Sequence, residues 1–155
     1  MKKLAVLFPG IGYHCDKPLL YYSKKCLSAY GYEIIEVNYK HFPHMKDKDE
    51  LIKQAEDIGY AQTEEILKDI PFSTYDEILF VSKSIGTAIS ARFNEEHHIN
   101  AYSIYFGSLT VVSNFSLTKS LKTLIISMLL SFFIVKFAKI NVLIWANVCY
   151  NRHRR

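Results

Sequence analysis

No aspartate or glutamate occurs after Glu96, although the chain runs to 155 residues. Residues 1–106 hold all 15 acids against 12 Lys and Arg, a net charge of −3, whereas residues 107–155 hold seven Lys and Arg and a net charge of +7. The two stretches read as different kinds of polypeptide. The basic charges of the second are spread through an apolar segment with no groove-reading motif, which argues against nucleic acid as a partner. Cysteine is sparse: Cys15, Cys26 and Cys149 are odd in number and lack CxxC spacing. Neither a disulfide framework nor a zinc site is indicated, no metal is expected, and a reducing, cytoplasmic compartment fits. A long apolar run is missing after Met1-Lys2-Lys3, because residues 4–8 are followed at once by Pro9-Gly10. That is too short for the core of a secretory signal.

What is present alternates between two periods, and the length suits one domain with a sizeable core. Residues 4–8 are apolar without alternation, the pattern of a central strand covered on both faces. Pro9-Gly10-Ile11-Gly12-Tyr13 follows as a turn in which glycine lets the main chain approach a ligand closely. A helix over 19–30 is predicted, with Asp16 as N-cap, Pro18 in its first turn and Gly31 as its stop. Residues 32–39 read as a more polar strand nearer a sheet edge. His41 and His44 fall in the next loop, then Asp47 and Glu50 have capping-box spacing. Leu51, Ala55, Ile58, Ile66 and Ile70 continue at helical intervals, and Pro71 closes that helix. A strand over 77–82, a helix over 86–96 and a strand over 101–106 complete the pattern. Strands alternating with helices predict a three-layer α/β/α fold with a mostly parallel sheet.

Within this pattern the stretch 76–87 stands out, because an apolar strand ends in Ser82-Lys83-Ser84-Ile85-Gly86 just before a helix. A serine turned sharply from strand to helix needs small residues two positions either side, and Ser82 and Gly86 occupy them. Together with the glycine turn after the first strand, this makes residues 3–106 resemble the first half of an α/β-hydrolase. The resemblance implies that Ser84 is a nucleophile acting on a small acyl substrate, a carboxylic ester, with no cofactor. It further implies an oxyanion hole made from the backbone N–H of Ile85 and one from Gly10-Ile11-Gly12, with Ile11 the preferred donor. Ser82 stands where glycine is commoner in that family, and Lys83 adjoins the serine. The family's acid and histidine come from loops after later strands, yet no acid lies beyond Glu96 and His153 is the only histidine after residue 106, so the triad is incomplete and impaired turnover is expected.

His14, near the glycine turn, is the one alternative base, although a loop histidine beside Asp16 also reads as a solvated residue. His97 and His98 follow the third helix and suit its C-terminus. A Lys83-Ser84 phosphate loop is excluded, because the glycine cradle is missing. Ser84 also reads as a plain helix N-cap. The competing functions are therefore an anion- or small-ligand-binding module without catalysis, and a small membrane-associated protein.

Residues 107–155 admit three readings. Membrane contact through 123–150 is disfavoured by Lys136 and Lys139 near its middle, and the uncharged run 123–135 is shorter than the ~20 residues a span needs. The tail could instead complete the domain, with a helix over 123–134 and a strand over 140–145. Its composition favours the third reading, an extension not selected with residues 1–106, left by a truncation or a reading-frame change.

Overall fold

A computed structural model describes residues 1–40, 42, 48–107 and 123–127. Five strands form one sheet, β1 (Lys3–Phe8), β2 (Tyr32–Glu36), β3 (Glu77–Lys83), β4 (Tyr102–Gly107) and β5 (Thr123–Ser127), in the order β2-β1-β3-β4-β5. Every pairing is parallel. Helices α1 (Pro18–Ala29), α2 (Lys48–Leu67) and α3 (Ile85–Glu96) make the crossovers from β1 to β4, with a short 3-10 turn at Phe72–Thr74 before β3.

The apolar run of β1 is central, as its lack of alternation predicts. Its odd and even positions feed two separate cores. Leu4, Val6 and Phe8 face one core with Phe80, Ile85, Ile89 and Phe93, and the Phe8 and Phe80 rings lie 5.0 Å apart. Leu7 faces the other with Val81, Cys15 and Leu20 of α1. One helix thus covers one face and two cover the opposite face, giving three layers. Strand β2 lies at the sheet edge, as its mixed polarity suggests.

Several local expectations are corrected by tertiary contacts. Asp16 does not cap α1: the N-cap residue is Lys17, without a side-chain cap bond. The Leu19 N–H donates instead to the Tyr13 hydroxyl at 3.0 Å, while the Asp16 carboxylate lies 3.4 Å from Lys24 Nζ. Gly31 ends the helix as expected, at φ +80°. Among the described side chains of α2 the buried ones are Ala55, Gly59, Thr63 and Leu67, whereas Ile58 is half-buried and Ile66 exposed. The reason is close approach to α3: a methyl at Gly59 would sit 2.5 Å from Ile89 Cδ1, so the small residue must face inward. Helix α2 ends at Leu67, and Pro71 opens the 3-10 turn rather than closing the helix. Thr123–Ser127, expected within a helix, pairs with β4 from Ser103 to Gly107. A parallel neighbour satisfies the outer backbone groups of β4, and that non-local pairing outweighs helical periodicity. His41, His44, Asp47, the Leu51 side chain, residues 128–134 and the strand expected over 140–145 lie outside the described residues.

Candidate active site at the strand-to-helix turn

The strand order places a switch point between β1 and β3, because the chain leaves β1 toward β2 and leaves β3 toward β4. Crevices at the carboxyl ends of such strands are where open α/β sheets bind ligands. Two loops meet there, the glycine turn after β1 and the serine turn after β3.

Ser84 takes φ 55°, ψ −125° between the last residue of β3 and the first of α3. A side chain in that region costs on the order of 1–3 kcal/mol and persists only where neighbours enforce it. The enforcing contacts are visible. The Ser84 N–H donates to the Phe106 carbonyl at 3.1 Å, and its own carbonyl accepts from Thr87 N–H at 2.9 Å. A methyl on Gly86 would lie 2.4 Å from the carbonyl oxygens of both Phe8 and Pro9. Gly10 closes the other side, since a methyl there would come within 3.0 Å of Ser84 Cβ. Although Ser84 holds the N-cap position, its hydroxyl makes no cap bond. The strained backbone therefore does not serve to cap the helix.

The glycine turn is a two-residue reversal in which Gly10 and Tyr13 exchange N–H to carbonyl bonds of 3.0 and 3.1 Å. Gly12 takes φ +68°, and Ile11 and Gly12 form its exposed tip. The Gly10 N–H is thus engaged inside the turn. Among the described residues, Ile11, Gly12 and Ile85 donate to no backbone carbonyl outside regular secondary structure. Ile85 is moreover the first residue of α3, where a helix leaves its N–H groups without intrahelical partners.

His14 is not joined to Ser84. Its Nδ1 lies 3.7 Å from Asp16 Oδ2, the pair is well exposed, and His14 stands on the wall of a cavity to which Ser84 does not contribute. His97 stands at the C-terminus of α3 as its C-cap residue, and its ring bonds Glu64 at 2.5 Å. His153 lies outside the described residues.

Three features around the serine were missed or underweighted by sequence reasoning. Lys83 is only 7% exposed, its Nζ lies 5.7 Å from the Tyr13 ring centre, and desolvation lowers its pKa below the ordinary lysine value. Tyr13 consequently ties the glycine turn both to α1, through its hydroxyl, and to the end of β3, through its ring. Ser82 and Thr87 are buried with hydroxyls that lack a hydrogen-bond partner among the described residues. The position of Thr87, three residues beyond Ser84 and one helical turn into α3, is the signal that could have placed it beside the serine.

No protein-family model, curated protein or solved structure matches the chain. Among the described residues no helix is long and apolar enough to cross a membrane.

Proposed function

We propose that this chain carries a serine-hydrolase-type acyl site centred on Ser84, acting on small carboxylic esters with impaired turnover. The observation that carries the reading is the backbone of Ser84: a non-glycine residue at φ 55°, ψ −125°, wedged between strand and helix with its hydroxyl free of the cap bond. A nucleophilic serine needs such a strained turn to lift its hydroxyl clear of the sheet. In the proposed step Ser84 Oγ bonds to the ester carbonyl carbon, the carbon–oxygen bond to the alcohol breaks, and the hydroxyl proton departs with the alcohol. Water then releases the acid and restores the hydroxyl. The N–H groups of Ile85 and Ile11, or Gly12, would hold the developing oxyanion, and each such donor is typically worth about a hundredfold in rate or more. Among the described residues no histidine hydrogen-bonds Ser84, which supports slow rather than efficient turnover.

A serine-directed phosphonate probe tests the reading. Labelling that disappears in Ser84→Ala supports it, and a folded wild-type chain that takes no label overturns it. Fast steady-state hydrolysis of an activated ester would remove the claim of impairment. That no base hydrogen-bonds Ser84 among the described residues also favours a second reading, a non-catalytic module holding an anion at the N-terminus of α3. Phosphate protection against unfolding without any labelling distinguishes it.

A further inference from the structure

A cavity of about 130 Å³ opens on the far wall of the glycine turn. Aromatic side chains dominate it: Tyr13, Tyr39 and Phe42 line it, the last two meeting edge to face with ring centres 5.4 Å apart. The Tyr39 phenol lies 3.5 Å from the Thr63 hydroxyl, and burial raises its pKa, so that wall stays neutral. Asn38 and His14, both exposed, give the rim its polar groups. Gly10 belongs to the cavity wall and also packs against the serine turn, where its missing side chain leaves room for Ser84. The cavity is therefore separated from the serine by the thickness of one turn, the same turn whose tip offers the Ile11 and Gly12 amides.

We propose that this cavity binds a carboxylic compound whose apolar part is the size of a single aromatic ring. A single ring suits its volume, since an apolar cavity of roughly 150 Å³ accommodates benzene. Longer acyl chains would have to leave through the rim, past Asn38 and His14, and lose the aromatic contacts. The rim itself supplies an amide and an imidazole that can donate to the carboxyl end. The inference rests on the lining alone and stands apart from the serine reading.

Thermal unfolding of the full chain with benzoate, acetate and octanoate is the test, run on wild type, Ser84→Ala and Asn38→Trp. Benzoate at about ten times its dissociation constant should raise the wild-type midpoint by about 3 to 5 °C. Acetate has the carboxylate but no ring and should give no shift, and octanoate should give less than benzoate. Ser84→Ala should keep the benzoate shift, so a pocket that binds in a chain that never reacts with a phosphonate separates the two readings. Asn38→Trp places a large side chain over the rim from an exposed position and should abolish the shift. Should that variant fail to fold, Phe42→Ala enlarges the pocket instead and should turn the preference from benzoate toward naphthoate. No benzoate shift in wild type, an equal shift with acetate, or a benzoate shift unchanged in a folded Asn38→Trp and no altered preference in Phe42→Ala would overturn the proposal.

Discussion

Gly86 and Pro9 meet where α3 begins against the end of β1: a methyl built on Gly86 would lie 2.4 Å from the Pro9 carbonyl oxygen. Backbone rather than a yielding side chain is the obstacle, so the helix would have to move. Gly86→Ala should destabilise the fold by about 3 kcal/mol, at the upper end for overpacking, and should suppress phosphonate labelling of Ser84 as the turn shifts. Denaturant unfolding together with probe labelling reads both effects. Unchanged stability would contradict the close approach.

Ser84 holds a backbone that glycine adopts more easily than any other residue. Ser84→Gly should therefore raise stability by about 1 kcal/mol while abolishing labelling, the pattern of a residue kept for chemistry at a cost to the fold. Ser84→Ala should abolish labelling with little change in stability. A loss of stability in Ser84→Gly, measured by urea titration, would point to a structural role for the hydroxyl.

Ser82 has no exposed surface, and its hydroxyl lacks a partner among the described residues. An unsatisfied buried hydroxyl costs about 1–3 kcal/mol, so Ser82→Ala should stabilise the chain by about 1 kcal/mol. The turn at Ser84 tolerates alanine in size, and labelling of Ser84 should persist. Destabilisation in a melting experiment would mean that the hydroxyl is satisfied by bound water.

Gly59 and Ile89 test the closeness of α2 and α3. Alanine at Gly59 gains about 1 kcal/mol in helix propensity but drives a methyl to 2.5 Å from Ile89 Cδ1. Gly59→Ala should be close to neutral alone and stabilising in an Ile89→Val background, where that Cδ1 is gone. A double-mutant cycle should return a favourable coupling of about 1 kcal/mol, and strict additivity would disprove the contact.

Glu77 binds the Tyr32 hydroxyl and, at 3.0 Å, Lys3 Nζ; both partners lower its pKa, the Tyr32 bond more than Lys3. A carboxylate whose folded pKa is lowered stabilises the fold above its unfolded pKa, near 4.5, and loses that contribution as pH falls through the folded value. Below about pH 4.5 the unfolding midpoint of wild type should fall more steeply than that of Glu77→Gln. Parallel pH profiles for the two chains would show the pairing to be energetically silent.

Much of the architecture is legible locally. The unbroken apolar run of β1, the mixed polarity of β2, and the Pro and Gly residues at 18 and 31 place elements within a few residues of where they form. The same is true of the spacing Ser82-Ser84-Gly86, because the demand for small residues around a tight turn is written in consecutive positions. Where several weak local signals compete, the outcome was not legible. Asp16 is as good a cap by type as any, yet the Tyr13 hydroxyl reaches the helix first. The isoleucines of α2 are the more hydrophobic stripe, yet the face holding Gly59 allows the helices to close.

The sequence by itself determined the alternation of strands and helices, the glycine turn, the small residues around Ser84 and the lack of an acid after Glu96. These follow from composition and short spacing, where each residue's own conformational preference is enough. Only the tertiary structure decided that Ser84 sits at positive φ with its hydroxyl uncapped, that Gly10 closes on it from the turn after β1 while Gly86 lets α3 meet the Phe8 and Pro9 carbonyls, and that His14 turns to Asp16 instead. It also decided that 123–127 lies beside β4 as a strand. Each of these depends on contact between residues far apart in the chain, whose energies no local preference contains.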